Sequence, residues 1–325
     1  MLMAASNLDE FVARAQTLVR QATIDRAALD TIKALHATGI ETLLLKGPVL
    51  ARTLYRADEH RGYFDIDLLV APDHHTAAGR VLEGLGYVDF VKSTNLPVFR
   101  DDPHADLWTR RSDTGVIAVD LHWRLPGCGR DPRHVWETLA ARRAWIELEG
   151  AETPTLDRPA LALHLALHAT LHGPEDRKAI GDLARGIDRW PLDVWTEAAL
   201  LAAEVGATEA LSAGVRLLPQ GAALATDLGL PDASVLLRQI EERKSRPRGA
   251  FHLQALRDAV GLRTRASVLR QSLVPPALWI RREYPWVRGS RSRLAAAYAL
   301  HLARTPYWAS RAWRMRERRG RRQVS

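Results

Sequence analysis

Two aspartates set two residues apart open an apolar run in Arg61-Gly-Tyr-Phe-Asp65-Ile-Asp67-Leu-Leu-Val70. In a strand, residues i and i+2 point to one face, so Asp65 and Asp67 project side by side with Cα atoms roughly 7 Å apart. Ile66 and Leu68 then take the opposite face. Two anions held that close repel each other unless a cation lies between them. Carboxylate oxygens are the ligands that hard divalent ions prefer, and Mg²⁺ takes one or two of them alongside substrate phosphates.

The flanking elements are the ones such chemistry needs. Upstream, Glu41-Thr-Leu-Leu-Leu45-Lys46-Gly47-Pro48 reads as a buried strand running into Lys-Gly and then a helix opened by proline. A glycine at that junction lets a phosphate approach the backbone, and the helix start adds a positive dipole. Downstream, Thr114-Gly-Val-Ile-Ala-Val-Asp120-Leu-His-Trp123 is a second β-favouring run carrying one carboxylate, entered through a turn signal at 112–115. Three carboxylates on neighbouring strands beside a phosphate-approach loop describe a two-metal phosphoryl-transfer site.

These motifs, together with Tyr55, Gly86-Tyr87, His168 and Lys178-Ala-Ile-Gly-Asp182, resemble the uncharacterised bacterial nucleotidyltransferases of the polymerase-β superfamily. The resemblance covers most of the chain, and its specific part runs from Lys46 to Asp120. It implies an α/β (α+β) core with a mixed sheet, followed by a mainly α-helical second domain. The implied reaction moves a nucleoside monophosphate from a nucleoside triphosphate, ATP first, to a hydroxyl-type acceptor on a small molecule, peptide or protein. Asp65, Asp67 and Asp120 would be catalytic and hold two Mg²⁺ ions, with Mn²⁺ as a substitute. Lys46, Gly47 and Arg61 would grip the phosphates, and His168, Lys178 and Asp182 would face the rest of the nucleotide. The chain departs from the wider superfamily in one place: Lys46-Gly47-Pro48 stands where Gly-Ser is usual, which shifts the phosphate grip to Lys46 and Arg61. A second reading, from a different class, is a degenerate nucleotide-binding or scaffold protein that keeps the fold without turnover.

Composition bounds these readings. With 325 residues, 46% hydrophobic content and 10 Trp, the chain has enough apolar surface for more than one folded domain. The single Cys128 excludes an intramolecular disulfide and fits a reducing compartment. Residues 1–7 lack a basic region and a long apolar core, so no signal peptide is expected. No uncharged apolar run of about 18 residues suggests a membrane span. The expected place is the cytoplasm, peripheral to the inner membrane.

The net charge of +8 is unevenly spread. Residues 262–325 carry 16 Arg and two acids, Glu283 and Glu317, giving +14, so the rest carries 8 − 14 = −6. A basic tail interleaved with Trp279, Tyr284, Trp286, Tyr298, Tyr307, Trp308 and Trp313 reads first as a solvated basic helix packed on the second domain, and among functional readings it suits an anionic membrane surface. Polymeric nucleic acid is the poorer partner, because the acidic catalytic half would repel it.

Apolar spacing predicts a helix over 7–37 capped by Ser6, strands near 40–46, 65–71, 87–91, 105–111 and 115–123, and helices near 48–56, 73–85 and 131–143. Helices then follow at 159–172, 176–189, 193–205, 207–217 and 232–243, with a linker at 243–249. The expected domains are a core over 1–150, a helical domain over 151–261 and a basic helical tail over 262–325. His164, His168 and His172 share one helix face, but the span of about 12 Å is too long for one ion, so they are expected to line a cleft. Asp58, Glu59, Asp101, Asp102 and Asp106 read as solvated loop residues, and Lys178 with Asp182 reads either as an i,i+4 ion pair or as a helix face on the nucleotide's base and sugar.

Overall fold

The computed structural model describes residues 2–56, 58–90, 104–244, 256, 261–275, 277, 280, 284–287 and 290–322. Those up to Ile240 form one compact unit, and those beyond it belong to a second. The expected strand residue 91, the loop acids Asp101 and Asp102, most of the linker and Trp279 lie outside the described residues.

The first unit opens with helix α1 (Leu2–Ala37), which starts before Ser6 rather than being capped by it. Its second half turns one apolar stripe inward, with Ile24, Ala28, Ile32 and Leu35 buried. Leu18 and Val19, further toward its start, are exposed. Strand β1 (Thr42–Leu44) then runs through the core, and α2 (Pro48–Thr53) follows at once, opened by the proline. Next come β2 (Asp65–Val70), α3 (His75–Gly84), β3 (Val88–Asp89), β4 (Ala105–Ser112) and β5 (Gly115–His122).

Helix α4 (Pro132–Ala141) is followed by a hairpin that the apolar pattern did not suggest, β6 (Arg143–Leu148) and β7 (Ala151–Leu156). Gly150, the expected end of the core, sits in the turn of this hairpin. Glu149 and Gly150 have φ of 52° and 73°, the pair of positive values that a tight two-residue hairpin turn requires. The sheet therefore continues to Leu156. Its order is β3-β4-β5-β2-β1-β7-β6, seven strands among the described residues. β2 pairs parallel with β5 and antiparallel with β1, while β1 pairs parallel with β7, so the sheet is mixed as expected.

Helices α5 (Arg158–His172), α6 (Arg177–Arg189), α7 (Leu192–Glu204) and α8 (Thr208–Val215) follow, close to their predicted spans. α9 (Pro219–Asp227) is an addition, a helix that Pro219 begins. α10 (Ser234–Lys244) closes the series. Buried on nearly every face from Ala160 to Thr170, α5 is the hub of this layer, and Gly214 of α8 abuts the Ala166 carbonyl so closely that a Cβ could not fit.

The second unit contains α11 (Leu262–Leu273) and the long helix α12 (Arg291–Arg322). It has a small core of its own, made by Ile280, Tyr284, Val287 and Ala297. Tyr298 donates to the Pro275 carbonyl at 2.7 Å, and buried His301 Nε2 donates to the Ser272 carbonyl at 2.9 Å. Two of the tail's aromatic residues are thus used internally, whereas Trp286 and Tyr307 are exposed. The side chains of Trp308 and Trp313 lie outside the described residues. Among the described residues no helix is long and apolar enough to cross a membrane.

Candidate active site

The alternation in Asp65-Ile-Asp67-Leu-Leu-Val70 and in Val119-Asp120-Leu-His122 runs in phase once β2 and β5 pair. Asp67 faces Asp120 in the register, Ile66 faces Val119, and Leu68 faces Leu121. Partners across a parallel ladder point the same way, so the three carboxylates emerge on one face while the aliphatic residues fill the other. Asp65 and Asp120 are half-buried, whereas Asp67 is closed off from solvent.

The Lys-Gly loop is tied to this face through the backbone. The Leu45 amide donates to the Asp67 carbonyl at 3.0 Å, extending the β1–β2 ladder one residue beyond the strand. Lys46 is thereby held over Asp67, and its Nζ lies 2.8 Å from Oδ1. Gly47 turns the chain with φ 61° and ψ −108°, a conformation that costs glycine little and other residues much. On the far side, His122 Nε2 reaches the same Asp67 Oδ1 at 3.3 Å. His122 follows Asp120 by two residues, so strand alternation alone puts it on the carboxylate face; that was the available signal for a residue to which the sequence reading gave no role.

The charges sort themselves accordingly. Burial opposes ionisation of Asp67, but the Lys46 ammonium and the His122 hydrogen bond hold its carboxyl well below the usual range. Burial and the neighbouring Asp67 push Asp65 up, against Lys178, Lys46 and Arg61. Lys46 is raised: burial disfavours its charge, yet Asp67, Asp65 and Asp120 outweigh that. Burial lowers His122, with the Asp67 hydrogen bond and charge opposing. Hard oxygen donors in this register suit a divalent cation. Among the described residues no three His, Cys, Asp or Glu side chains form a metal-holding group by themselves, and Asp67 is paired with Lys46, so an ion here would need substrate phosphates to complete its ligands.

Arg61 and Asp182, both expected on the nucleotide, pair with each other. Arg61 Nε and Nη2 donate to Asp182 at 2.9 and 2.7 Å, and Nη1 donates to the Gly47 carbonyl at 3.2 Å. Tyr55 Oη adds a 2.7 Å bond to Asp182, and burial with that bond pushes the phenol up to about 12. The Arg61 carbonyl accepts from Gln21 Nε2 of α1 at 2.8 Å. Asp182 thus turns to Arg61 rather than to Lys178 one turn away. Lys178 is exposed, and its ammonium is lowered by partial desolvation and by the Arg61 charge, with Asp65 opposing. Glu59, expected in a solvated loop, forms a double contact with Arg189 at 2.6 Å per oxygen. Asp106 lies 3.2 Å from His75.

The three histidines of α5 form a ladder, with ring centroids 6.2 Å apart from His164 to His168 and 4.3 Å from His168 to His172. Burial lowers all three, and the Lys46 charge adds to the effect. His164 is 6% exposed, neither ring nitrogen has a partner among the described residues, and its pKa is pulled down to about 3. Unfolding restores an ordinary value near 6.5, so below that pH the unfolded chain binds the extra proton. The stability held above pH 6.5 is therefore lost as pH falls toward 3. His164 alone contributes a slope of about 1.4 kcal/mol per pH unit in that window. Urea unfolding from pH 7 to 4 should show a flatter slope for His164→Gln than for the parent chain. Equal slopes would mean that His164 titrates normally in the fold.

The profile of a family described as uncharacterised nucleotidyltransferases matches residues 4–220. Two solved structures are similar in part. One is the antibiotic-resistance factor ANT(2'')-Ia, with TM-score 0.36 and 14% identity, over 56% of this chain and 94% of that one. The other is an antigenic nucleotidyltransferase-like protein from Paracoccidioides brasiliensis, with TM-score 0.35 and 15% identity, over 59% and 92%. No curated protein matches the chain. The family match spans the loop, both strands and the helices from α5 to α8, and on that basis the chain belongs to this nucleotidyltransferase family.

Proposed function

We propose that the chain transfers a nucleoside monophosphate from ATP, or another nucleoside triphosphate, to a hydroxyl-type acceptor on a small molecule, peptide or protein. One observation carries this reading: Asp67 and Asp120 are register partners on adjacent parallel strands, with Asp65 on the same face. Asp65, Asp67 and Asp120 are the residues that would hold divalent ions, Mg²⁺ or Mn²⁺, which when bound supply charge neutralisation at the phosphates.

The protein's own groups do the rest. Lys46 and the Gly47 amide bind the β- and γ-phosphates and stabilise pyrophosphate as it leaves. Asp120, on the strand next to Asp67, accepts the proton of the acceptor hydroxyl. The freed oxygen bonds to the α-phosphorus as the α–β bridging bond breaks. His168 and Lys178 face the nucleotide. Arg61 and Asp182 act indirectly, by fixing the Gly47 carbonyl and the start of β2. With Mg²⁺ and ATP, Asp65→Asn should cut pyrophosphate release by about 10²-fold, the loss expected when roughly 3 kcal/mol of charge stabilisation is removed. Release unchanged in that variant would sink the site assignment.

For the basic tail we favour a cytoplasmic, membrane-peripheral role. Arginines along α12, with Trp286 and Tyr307 exposed in the same unit, suit an anionic lipid surface. Each basic residue near such a surface contributes about 1 kcal/mol, screened by salt. Full-length protein should float with phosphatidylserine vesicles at low salt, and a chain ended at Pro247 should not. Equal flotation of the two would remove the tail from membrane binding.

A further inference from the structure

Lys46 has two claims on it. It neutralises the buried Asp67 carboxylate at 2.8 Å, and the proposed function also needs it on the triphosphate. A divalent ion on Asp67 would sit within a few ångströms of that ammonium, and like charges at such range in a poorly solvated site repel strongly. The backbone bond from the Leu45 amide to the Asp67 carbonyl fixes the adjoining main chain, so the conflict falls on the side chain. His122 Nε2 approaches the same oxygen from the other side at 3.3 Å.

We propose that Lys46 is an exchangeable cation, paired with Asp67 until metal and nucleotide arrive together and then transferred to the phosphates. Metal alone must displace the lysine without giving it another anion, so it binds weakly. Metal with nucleotide supplies both the replacement cation for Asp67 and the replacement anion for Lys46. The two ligands consequently bind with positive cooperativity, each raising the affinity of the other by the same factor. The pair also spares the chain a bare buried carboxylate when no ligand is present. This inference rests on reading Asp67 as a metal-binding carboxylate.

The test is Mn²⁺ binding to the full chain, followed by electron paramagnetic resonance with and without a non-hydrolysable ATP analogue, so turnover is not the readout. In the parent protein the analogue should tighten Mn²⁺ binding at least tenfold. In Lys46→Gln, nucleotide-free Mn²⁺ should bind at least tenfold tighter than in the parent, and the coupling to the analogue should shrink toward one. A lysine that served the phosphates alone would leave nucleotide-free Mn²⁺ binding unchanged, and that result overturns the proposal. Mn²⁺ binding equal in Asp67→Asn and the parent would overturn the metal reading itself, which separates the two failures.

A second measurement covers the case in which Lys46→Gln does not fold. The chain has only five lysines, so reductive ¹³C-methylation, which keeps the charge, gives a short list of resonances. The signal absent from methylated Lys46→Arg should stay in place with Mg²⁺ alone and move with Mg²⁺ plus the analogue. A signal that moves equally in both conditions, or in neither, contradicts the exchange.

Discussion

The arrangement depends on one buried ion pair. Arg61 and Asp182 are 3% and 2% exposed and 121 residues apart in the chain. Charges that deep are tolerated only when nearly every donor and acceptor is met. Here Asp182 also accepts from Tyr55, while the third guanidinium nitrogen goes to the Gly47 carbonyl. A single interaction therefore ties helix α6 to the segment leading into β2, to the residues after α2 and to the phosphate-approach loop. Its worth is in specification more than in net energy, because a hydrophobic replacement of both partners can match it while loss of one cannot.

From that anchor the reactive face follows with few further choices. β2 and β5 pair in parallel, the in-phase alternation sends three carboxylates one way, and Lys46 comes over Asp67 because the β1–β2 ladder runs on through Leu45. Asp65 and Asp67 end in opposite electrostatic states although they share a strand face. Asp67 has Lys46 and His122 to hold its charge, and Asp65 has only more distant cations against burial and its neighbour. The imidazoles on this side stay neutral because burial and the Lys46 ammonium both disfavour added positive charge.

Local periodicity made strands β1 to β5, most helices and the carboxylate face legible, since Asp65, Asp67 and Asp120 announce themselves by two-residue alternation beside a Lys-Gly turn. What stayed hidden was non-local or cryptic. No spacing rule links Arg61 to Asp182 across 121 residues, so the pairing of two residues assigned to the ligand could not be read from the sequence. The β6–β7 hairpin was obscured because its turn is Glu-Gly instead of a familiar Asn-Gly or Asp-Gly, and because Trp145 is exposed while Pro154 interrupts the β-favouring pattern of its partner strand. Pro219 was ambiguous for a simpler reason: proline both ends one helix and begins the next.

The measurement that bears most directly on this account is a double-mutant cycle at the anchor, read by urea unfolding at pH 7. Arg61→Met and Asp182→Leu should each cost about 3–5 kcal/mol, since each leaves a buried charge uncompensated. The double variant should cost well below their sum, with a coupling of at least roughly 2 kcal/mol. Additive losses, with no coupling beyond about 0.5 kcal/mol, would show that the pair does not hold the loop, β2 and α6 together.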